Sequence, residues 1–287
     1  MTKQYLVFDI GGTSIKYGLF NEALQLSQTG KCLTKHNQDG YILKQLQAVT
    51  ADYQQKYDLD GVGVSTAGIV GPDGAIQYAG PTITGYQGTP IKAALMKQTG
   101  LPVFVVNDVD AALLGEQLAG GAQGAESVYC VALGTGIGGA YVEHGQLMTG
   151  AHATANSIGY TLFDPLTQTN YEQRASTLTL DRKLRAYNIS VKDAFDEAKH
   201  NVSPFKDMIN DWAAEVATGL AQVLLLFDPE ILLIGGAVSL QGAYLTDLLT
   251  TALAPLLPPQ LIQTKLSVAQ LADKAQLYGA VAGLIEQ

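Results

Sequence analysis

Three glycine runs are the first candidates for chemistry in this sequence: Gly11-Gly12 after Asp9-Ile10, Gly134-Thr135-Gly136 after Leu133, and Gly235-Gly236 after Ile234. Without a Cβ, glycine lets backbone N–H groups come close to a phosphate, so each run is a candidate nucleotide cradle. Asp9 adds a carboxylate able to hold Mg²⁺, directly or through water; Thr13 adds a hydroxyl and Lys16 a positive charge. A single Gly-Gly-Thr is also an ordinary hairpin turn, and the weight lies in three such runs at strand ends. A fourth candidate is Asn107-Asp108, between an apolar strand and a helix rich in Ala and Leu. An aspartate there can take a proton from a hydroxyl, or simply cap the helix.

Other glycine chemistries fit less well. Gly134-x-Gly136-x-x-Gly139 matches a dinucleotide fingerprint literally, but that motif needs a helix N-terminus directly after the glycines. Here Ala140-Tyr141-Val142-Glu143 continues as a strand and turns at His144-Gly145. No Gly-x-x-x-x-Gly-Lys-Ser/Thr loop occurs, and Gly63-Val64-Ser65-Thr66-Ala67 misses a hydrolase nucleophile elbow at its last position.

The elements that must position these residues follow from the apolar patterning. Leu6–Ile10 and Ile15–Phe20 read as a strand pair joined by the first glycine run, and 127–133 with 137–143 as a second pair around the next run. Leu43, Leu46, Val49 and Tyr53 have helical spacing within 41–57. Short strands follow at Gly61–Ser65 and Val103–Val106, and Asp108 opens a helix to about Gly120. Residues 150–205 show polar loops and modest helices, 213–227 a long apolar helix, Ile231–Ile234 a strand, and 275–285 a last helix. The repeated strand–glycine–strand unit points to a duplicated, two-lobed α/β chain.

Composition is consistent with this. At 287 residues the chain exceeds one average domain. A hydrophobic fraction of 47% against 15% charged supplies buried cores. The net charge of −9 disfavours a nucleic-acid backbone as partner. No apolar run approaches the ~20 residues that span a bilayer, so no membrane partner is expected. Cys32 and Cys130 are far apart and in no metal-ligand spacing. With a strand beginning almost at Met1, the expectation is a cytoplasmic protein without a leader peptide.

Phe8-Asp9-Ile10-Gly11-Gly12-Thr13, Val106-Asn107-Asp108-Val109-Asp110-Ala111-Ala112, Leu133-Gly134-Thr135-Gly136-Ile137-Gly138-Gly139 and Ile234-Gly235-Gly236-Ala237 occur in this order along most of the chain. Together they resemble the ROK family of sugar kinases and sugar-responsive repressors, within the actin, hexokinase and heat-shock ATPase superfamily. The resemblance implies an actin-like ATPase fold with two ribonuclease-H-like lobes around a central cleft. One lobe would comprise 1–118 with 272–287, the other 119–271. It implies ATP with Mg²⁺ as cosubstrate, Asp108 as catalytic base, and ATP contacts from Asp9, Gly11, Gly12, Thr13, Lys16, Thr135, Gly136, Gly235, Gly236 and Ala237, the last three against adenosine. Asn107 would hydrogen-bond the sugar and Gly68 lie along its pocket. Asp110, two residues along a helix from Asp108, is expected to point elsewhere. A homodimer is common in the family.

The chain also departs from the family pattern. Where many members carry Gly-Glu-x-Gly-His followed by a cysteine-rich structural zinc segment, it reads Asn156-Ser157-Ile158-Gly159-Tyr160, with no cysteine after Cys130. No structural zinc is expected, and His144 and His152 read as surface histidines. Ser157 and Tyr160 then stand at sugar-contacting positions, Glu172 keeps the second sugar glutamate, and Thr82 and Tyr86 replace the common asparagine and tryptophan. The expected reaction is ATP-dependent phosphorylation of a hexose or hexose derivative, typically at the 6-hydroxyl, as in glucokinases and β-glucoside kinases. The alternatives are an N-acetylmannosamine kinase or fructokinase, a non-catalytic sugar sensor, and an actin-like ATPase without a sugar. The family's repressors begin with a helix-turn-helix domain, whereas this chain begins at the first glycine strand. An aromatic Tyr160 in place of a histidine also suggests tolerance of a substituent at the sugar's first or second carbon.

Overall fold

In Gln4–Ile10 (β1), Leu6, Phe8 and Ile10 face one way and Tyr5 and Val7 the other, and all five are buried. Such a strand must be covered on both faces. The computed structural model describes residues 3–80, 83–258, 260, 261 and 263–285. Its first unit comprises Met1–Gly120, Thr149–Ala155 and Asp273–Gln287. Ser14–Asn21 (β2) returns antiparallel beside β1, pairing Asp9 with Lys16, and Leu26–Leu33 (β3) follows as the sheet edge. Tyr41–Gln54 (α1) leads to Gly61–Thr66 (β4), which lies parallel to β1. After the small hairpin Ile69–Val70 (β5) and Ile76–Tyr78 (β6), Ile91–Thr99 (α2) leads to Val103–Asn107 (β7), parallel to β4. The sheet order is β3-β2-β1-β4-β7.

One face of this sheet packs Leu6, Phe8, Ile10, Val62 and Val64 on Ile42 and Leu46 of α1 and on Ile91 and Leu95 of α2. Tyr5, Val7 and Phe20 on the other face pack on Leu277, Ala280, Val281 and Leu284 of the C-terminal helix, Ala275–Ile285. Asp108–Ala119 (α3) lies beside that helix. The segment Thr149–Ala155 belongs with this unit, whereas the sequence reading put it in the second lobe. The Gln77 side-chain amide donates to the His152 carbonyl at 3.2 Å.

The second unit comprises Gly121–Met148 and Asn156–Ala272. Val128–Leu133 (β8) and Ile137–Glu143 (β9) form an antiparallel pair edged by Gln146–Leu147 (β10). Tyr171–Ala175 (α4) carries an Asn170/Gln173 capping box, and Thr177–Leu184 (α5) and Val191–Lys199 (α6) are capped by Ser176 and Ser190. These caps supply the starts that the polar stretch 150–205 hid from apolar periodicity. Phe205–Phe227 (α7) begins eight residues before the expected 213, because Phe205, Met208, Ile209 and Trp212 already form an apolar stripe. Ile231–Gly235 (β11) pairs parallel with β8, Ala243–Leu253 (α8) follows, and Lys265–Val268 (β12) completes the order β10-β9-β8-β11-β12. β3, α2, α8 and β12 are not among the elements expected from apolar patterning. Among the described residues no helix is long and apolar enough to cross a membrane.

Candidate active site

In the first unit three parallel strands end together, with Ile10 opposite Thr66 and Thr66 opposite Asn107. The β1–β2 glycine turn closes with Gly11 N–H donating to Ser14 O at 2.9 Å. Thr34, buried behind it, donates its Oγ1 hydrogen to Gly12 O at 2.8 Å and its N–H to Thr13 O at 3.0 Å. That strap engages two carbonyls of the loop, and backbone N–H groups of such a glycine turn can meet an anion. Sequence alone offers no sign of Thr34.

Asp9 is held loosely. Its Oδ2 lies 3.9 Å from Lys16 Nζ and its Oδ1 accepts a 3.4 Å bond from Ser65 Oγ. Burial pushes its carboxyl up, against the pull of Lys16 and Ser65. Lys16 also donates to the Asp273 carbonyl at 3.1 Å and meets its carboxylate at 3.4 Å. Ser65, set aside with the incomplete hydrolase elbow, stands directly opposite Asp9 in the β1–β4 register.

Asn107 and Asp108 share the work at the start of α3. Asn107, not Asp108, is the cap: its Oδ1 accepts from Val109 N at 2.8 Å and Asp110 N at 3.3 Å, and its Nδ2 donates to Gly68 O at 2.8 Å. Gly68 sits at φ +96°, and a Cβ there would meet Tyr78 O at 2.6 Å. The amide of Asn107 thus bolts β7 to the turn at Gly68. Asp108 is half-buried, its Oδ1 also accepts from Val109 N at 3.0 Å, and burial first and Asp9 second push its carboxyl up to about 6. Asp110 is half-buried too, and burial first and the Asp108 charge second push its carboxyl up to about 7.

Two pH effects follow. If Asp108 is the base the resemblance implies, it must be deprotonated to act, and kcat/KM should fall about tenfold per unit below pH about 6, read from a pH–rate profile. Raised carboxyls bind protons more tightly folded than unfolded, so their contribution to stability is fullest in acid and is lost as pH rises through about 6–7. Asp110→Asn should therefore stabilise the ligand-free protein by on the order of 2 kcal/mol at pH 8 and by little at pH 4. Urea titrations at the two pH values check this.

In the second unit the β8–β9 turn closes through Gly134 N–H to Gly136 O at 3.0 Å. Glu172 of α4 backs it: Oε2 accepts from Ile137 N at 3.2 Å and lies 2.5 Å from where a Cβ on Gly136 would stand. A Cβ on Gly159 would collide with Ile137 O, so the Ser157–Tyr160 segment packs directly on the same turn. Leu178 N–H donates to Gly134 O at 3.2 Å and Thr177 Oγ1 to Leu133 O at 3.2 Å. Gly236, at φ +91°, leaves no room for a side chain against Leu133 O, which seats the third glycine run and Ala237 beside the second. Thr135 stands at the tip of the second run. Ser157 is exposed and Tyr160 is 63% exposed.

Arg174 organises the neighbouring loop. Its guanidinium donates to Leu162 O and Thr169 O at 2.9 Å each and to Asn170 O at 3.3 Å, and it pairs with Glu215 at 3.4 Å. Arg174→Ala would leave three carbonyls without this donor. It should cost about 2 kcal/mol and speed proteolysis within 161–170, measured by thermal melts and limited digestion. Tyr86 is a core residue, its hydroxyl 2.7 Å from Thr66 Oγ1; Thr82 lies outside the described residues. His144 and His152 are exposed, and Cys32 and Cys130 are free thiols. Among the described residues no three His, Cys, Asp or Glu side chains are grouped to hold a metal.

The sequence profile of the ROK family matches residues 5–287. The chain belongs to the ROK family. It is 28% identical to a glucokinase of Thermotoga maritima, over 97% of this chain and 96% of that one. It is also 28% identical to a β-glucoside kinase of Listeria innocua, over 84% and 85%. A ROK family glucokinase from Streptomyces griseus, solved in complex with glucose and AMPPNP, superposes with a TM-score of 0.81 at 29% identity, covering 99% of each chain. The fold is the actin-like ATPase fold of ROK kinases.

Proposed function

We propose that this chain is an ATP-dependent sugar kinase that transfers the γ-phosphoryl group of ATP to a hexose or hexose derivative, typically at the 6-hydroxyl. The observation that carries the reading is the common C-terminal end of the parallel strands in the first unit. It holds a strapped glycine turn, a loosely engaged Asp9, and Asp108, a half-buried carboxylate at a helix start. The family membership and the named kinases among its relatives support the same reading.

Each residue then has a task. Gly11, Gly12, Thr13 and Lys16 of the first unit, and Thr135 and Gly136 of the second, meet the phosphates; Gly235, Gly236 and Ala237 meet adenosine. Asp9 fits a magnesium ion carried in with ATP, because among the described residues its oxygens meet Lys16 and Ser65 at long range, 3.9 and 3.4 Å. Magnesium typically takes one or two protein carboxylates beside phosphates and water, and when bound it would neutralise phosphate charge. Gly68, Asn107 and Asp108 of the first unit, and Ser157, Tyr160 and Glu172 of the second, address the sugar, with Asn107 also fixing Asp108. As the sugar oxygen bonds to the γ-phosphorus and the bond to ADP breaks, the hydroxyl proton passes to the Asp108 carboxylate.

A finer reading concerns the sugar. Serine at 157 offers no carboxylate acceptor, and the exposed Tyr160 ring offers a packing surface to a second sugar or an aglycone. Sites built to bond a hydroxyl reject analogues lacking it, and relaxing that contact admits substitution there. Sugars substituted at the first or second carbon are therefore expected to outrun free glucose. Coupled ATP-consumption assays with glucose, N-acetylmannosamine, fructose and cellobiose test both levels. A higher kcat/KM for glucose than for the others removes the finer reading. Sugar binding without ATP turnover on any of them would replace the kinase with a sugar sensor.

A further inference from the structure

We infer that Glu172 is a positioning residue for the ATP phosphate loop as well as a sugar ligand, so that one carboxylate couples the two substrate sites of the second unit. The inference rests on the kinase reading above. The geometry divides the side chain between two tasks. Oε2 accepts the Ile137 N–H at 3.2 Å, immediately after Gly134-Thr135-Gly136, and the loop fits around it only because position 136 lacks a Cβ. Gly159, between Ser157 and Tyr160, packs against the same carboxylate, with a virtual Cβ 3.0 Å from Oε2. The glycine loop, the carboxylate and the sugar-side segment thus form one stack. A shift of the carboxylate toward a sugar hydroxyl changes the support of the loop, and a shift of the loop moves the carboxylate.

The position of Glu172 is itself fixed by its short helix. The Asn170/Gln173 box caps α4, and Tyr171, fully buried, donates its hydroxyl to Val216 O at 2.6 Å. Arg174, two residues after Glu172, ties the preceding loop to Glu215 of α7. The carboxylate therefore stands on a rigid base, which is what lets it act as a reference point for both segments.

The test separates an acceptor role from a charge role. In Glu172→Gln the amide oxygen still accepts from Ile137 N–H, so the Kd for Mg-ATP, from calorimetry, should stay within about threefold while the KM of the best sugar rises. In Glu172→Ala both should weaken, ATP by about 10-fold or more, as expected for loss of a hydrogen bond to a charged acceptor. The reciprocal variant is Gly136→Ala, whose methyl would take the space of Oε2. It should raise the sugar KM about 10-fold although residue 136 is assigned only to phosphate. Amide exchange in the ligand-free protein should show Ile137 protected in the parent and in Glu172→Gln, and exposed in Glu172→Ala. Unchanged ATP affinity and unchanged Ile137 exchange in Glu172→Ala, or an unchanged sugar KM in Gly136→Ala, overturns the inference. A parent protein that neither binds Mg-ATP nor consumes it defeats the kinase reading instead, and the Ile137 exchange comparison still decides the loop contact.

Discussion

Asp108→Asn should lower kcat by about 10²–10⁴-fold, roughly 3–5 kcal/mol of barrier, while sugar and Mg-ATP still bind. The fold should survive because the helix cap is Asn107, whose bonds to Val109 N, Asp110 N and Gly68 O are untouched. The one bond from Val109 N to Asp108 Oδ1, at 3.0 Å, can be accepted equally by an asparagine oxygen. What is lost is the proton acceptor. The residual rate should also lose the acid limb near pH 6, because the group that titrates there is gone. Steady-state kinetics across pH 5–8, with calorimetry for both ligands, measures all of this. A well-folded variant turning over at close to the parent rate would take the base assignment from Asp108.

The second large effect is structural. Gly279→Ala in the C-terminal helix would place a methyl inside the backbone carbonyl of Ala111 in α3. The contact repeats along the same packing: a Cβ on Gly115 would strike Ala275 O, and one on Gly63 of β4 would strike Ala280 O. Backbone leaves no flexible side chain to move aside, so the two helices must separate, at a cost of about 3 kcal/mol or more. At this chain length that corresponds to a melting temperature lower by about 6–12 °C. Since α3 carries Asp108 at its first turn, turnover should fall as well in the fraction that remains folded. Gly134→Ala, where a Cβ meets nothing within 4 Å, is the stability control. Equal melting temperatures for the two variants would show that the helices are not packed as closely as this.

Local patterns in the sequence carried the site a long way. The paired strand–glycine–strand units, the helix after Asp108 and the last helix are short-range features. Alternation, glycine after a strand and an Ala/Leu-rich run each act within a few residues. Elements whose apolar face is narrow or masked by polar residues, such as α2, β12 and the first two turns of α7, took shape only against the rest of their unit. The capped helices of 170–199 depend on side chains bonding their own backbone, which periodicity does not register.

The roles of individual side chains divide along the same line. Asp9, Asn107, Asp108 and the glycines could be picked out as candidates because each sits at a strand end within a recognisable run. The tertiary structure decided that Asn107 caps α3, that burial and the Asp108 charge raise the half-buried Asp110 carboxyl, and that Glu172 turns an oxygen to the Ile137 N–H. It also brought in Thr34, 22 residues from the loop it straps, and Ser65, placed opposite Asp9 by strand register. Hydrogen bonds between residues distant in the chain, and the burial that shifts a carboxyl, arise only once separate strands lie side by side. A one-dimensional pattern specifies which segments become strands and turns; the three-dimensional packing sets which donor meets which acceptor, and how much water each carboxylate keeps.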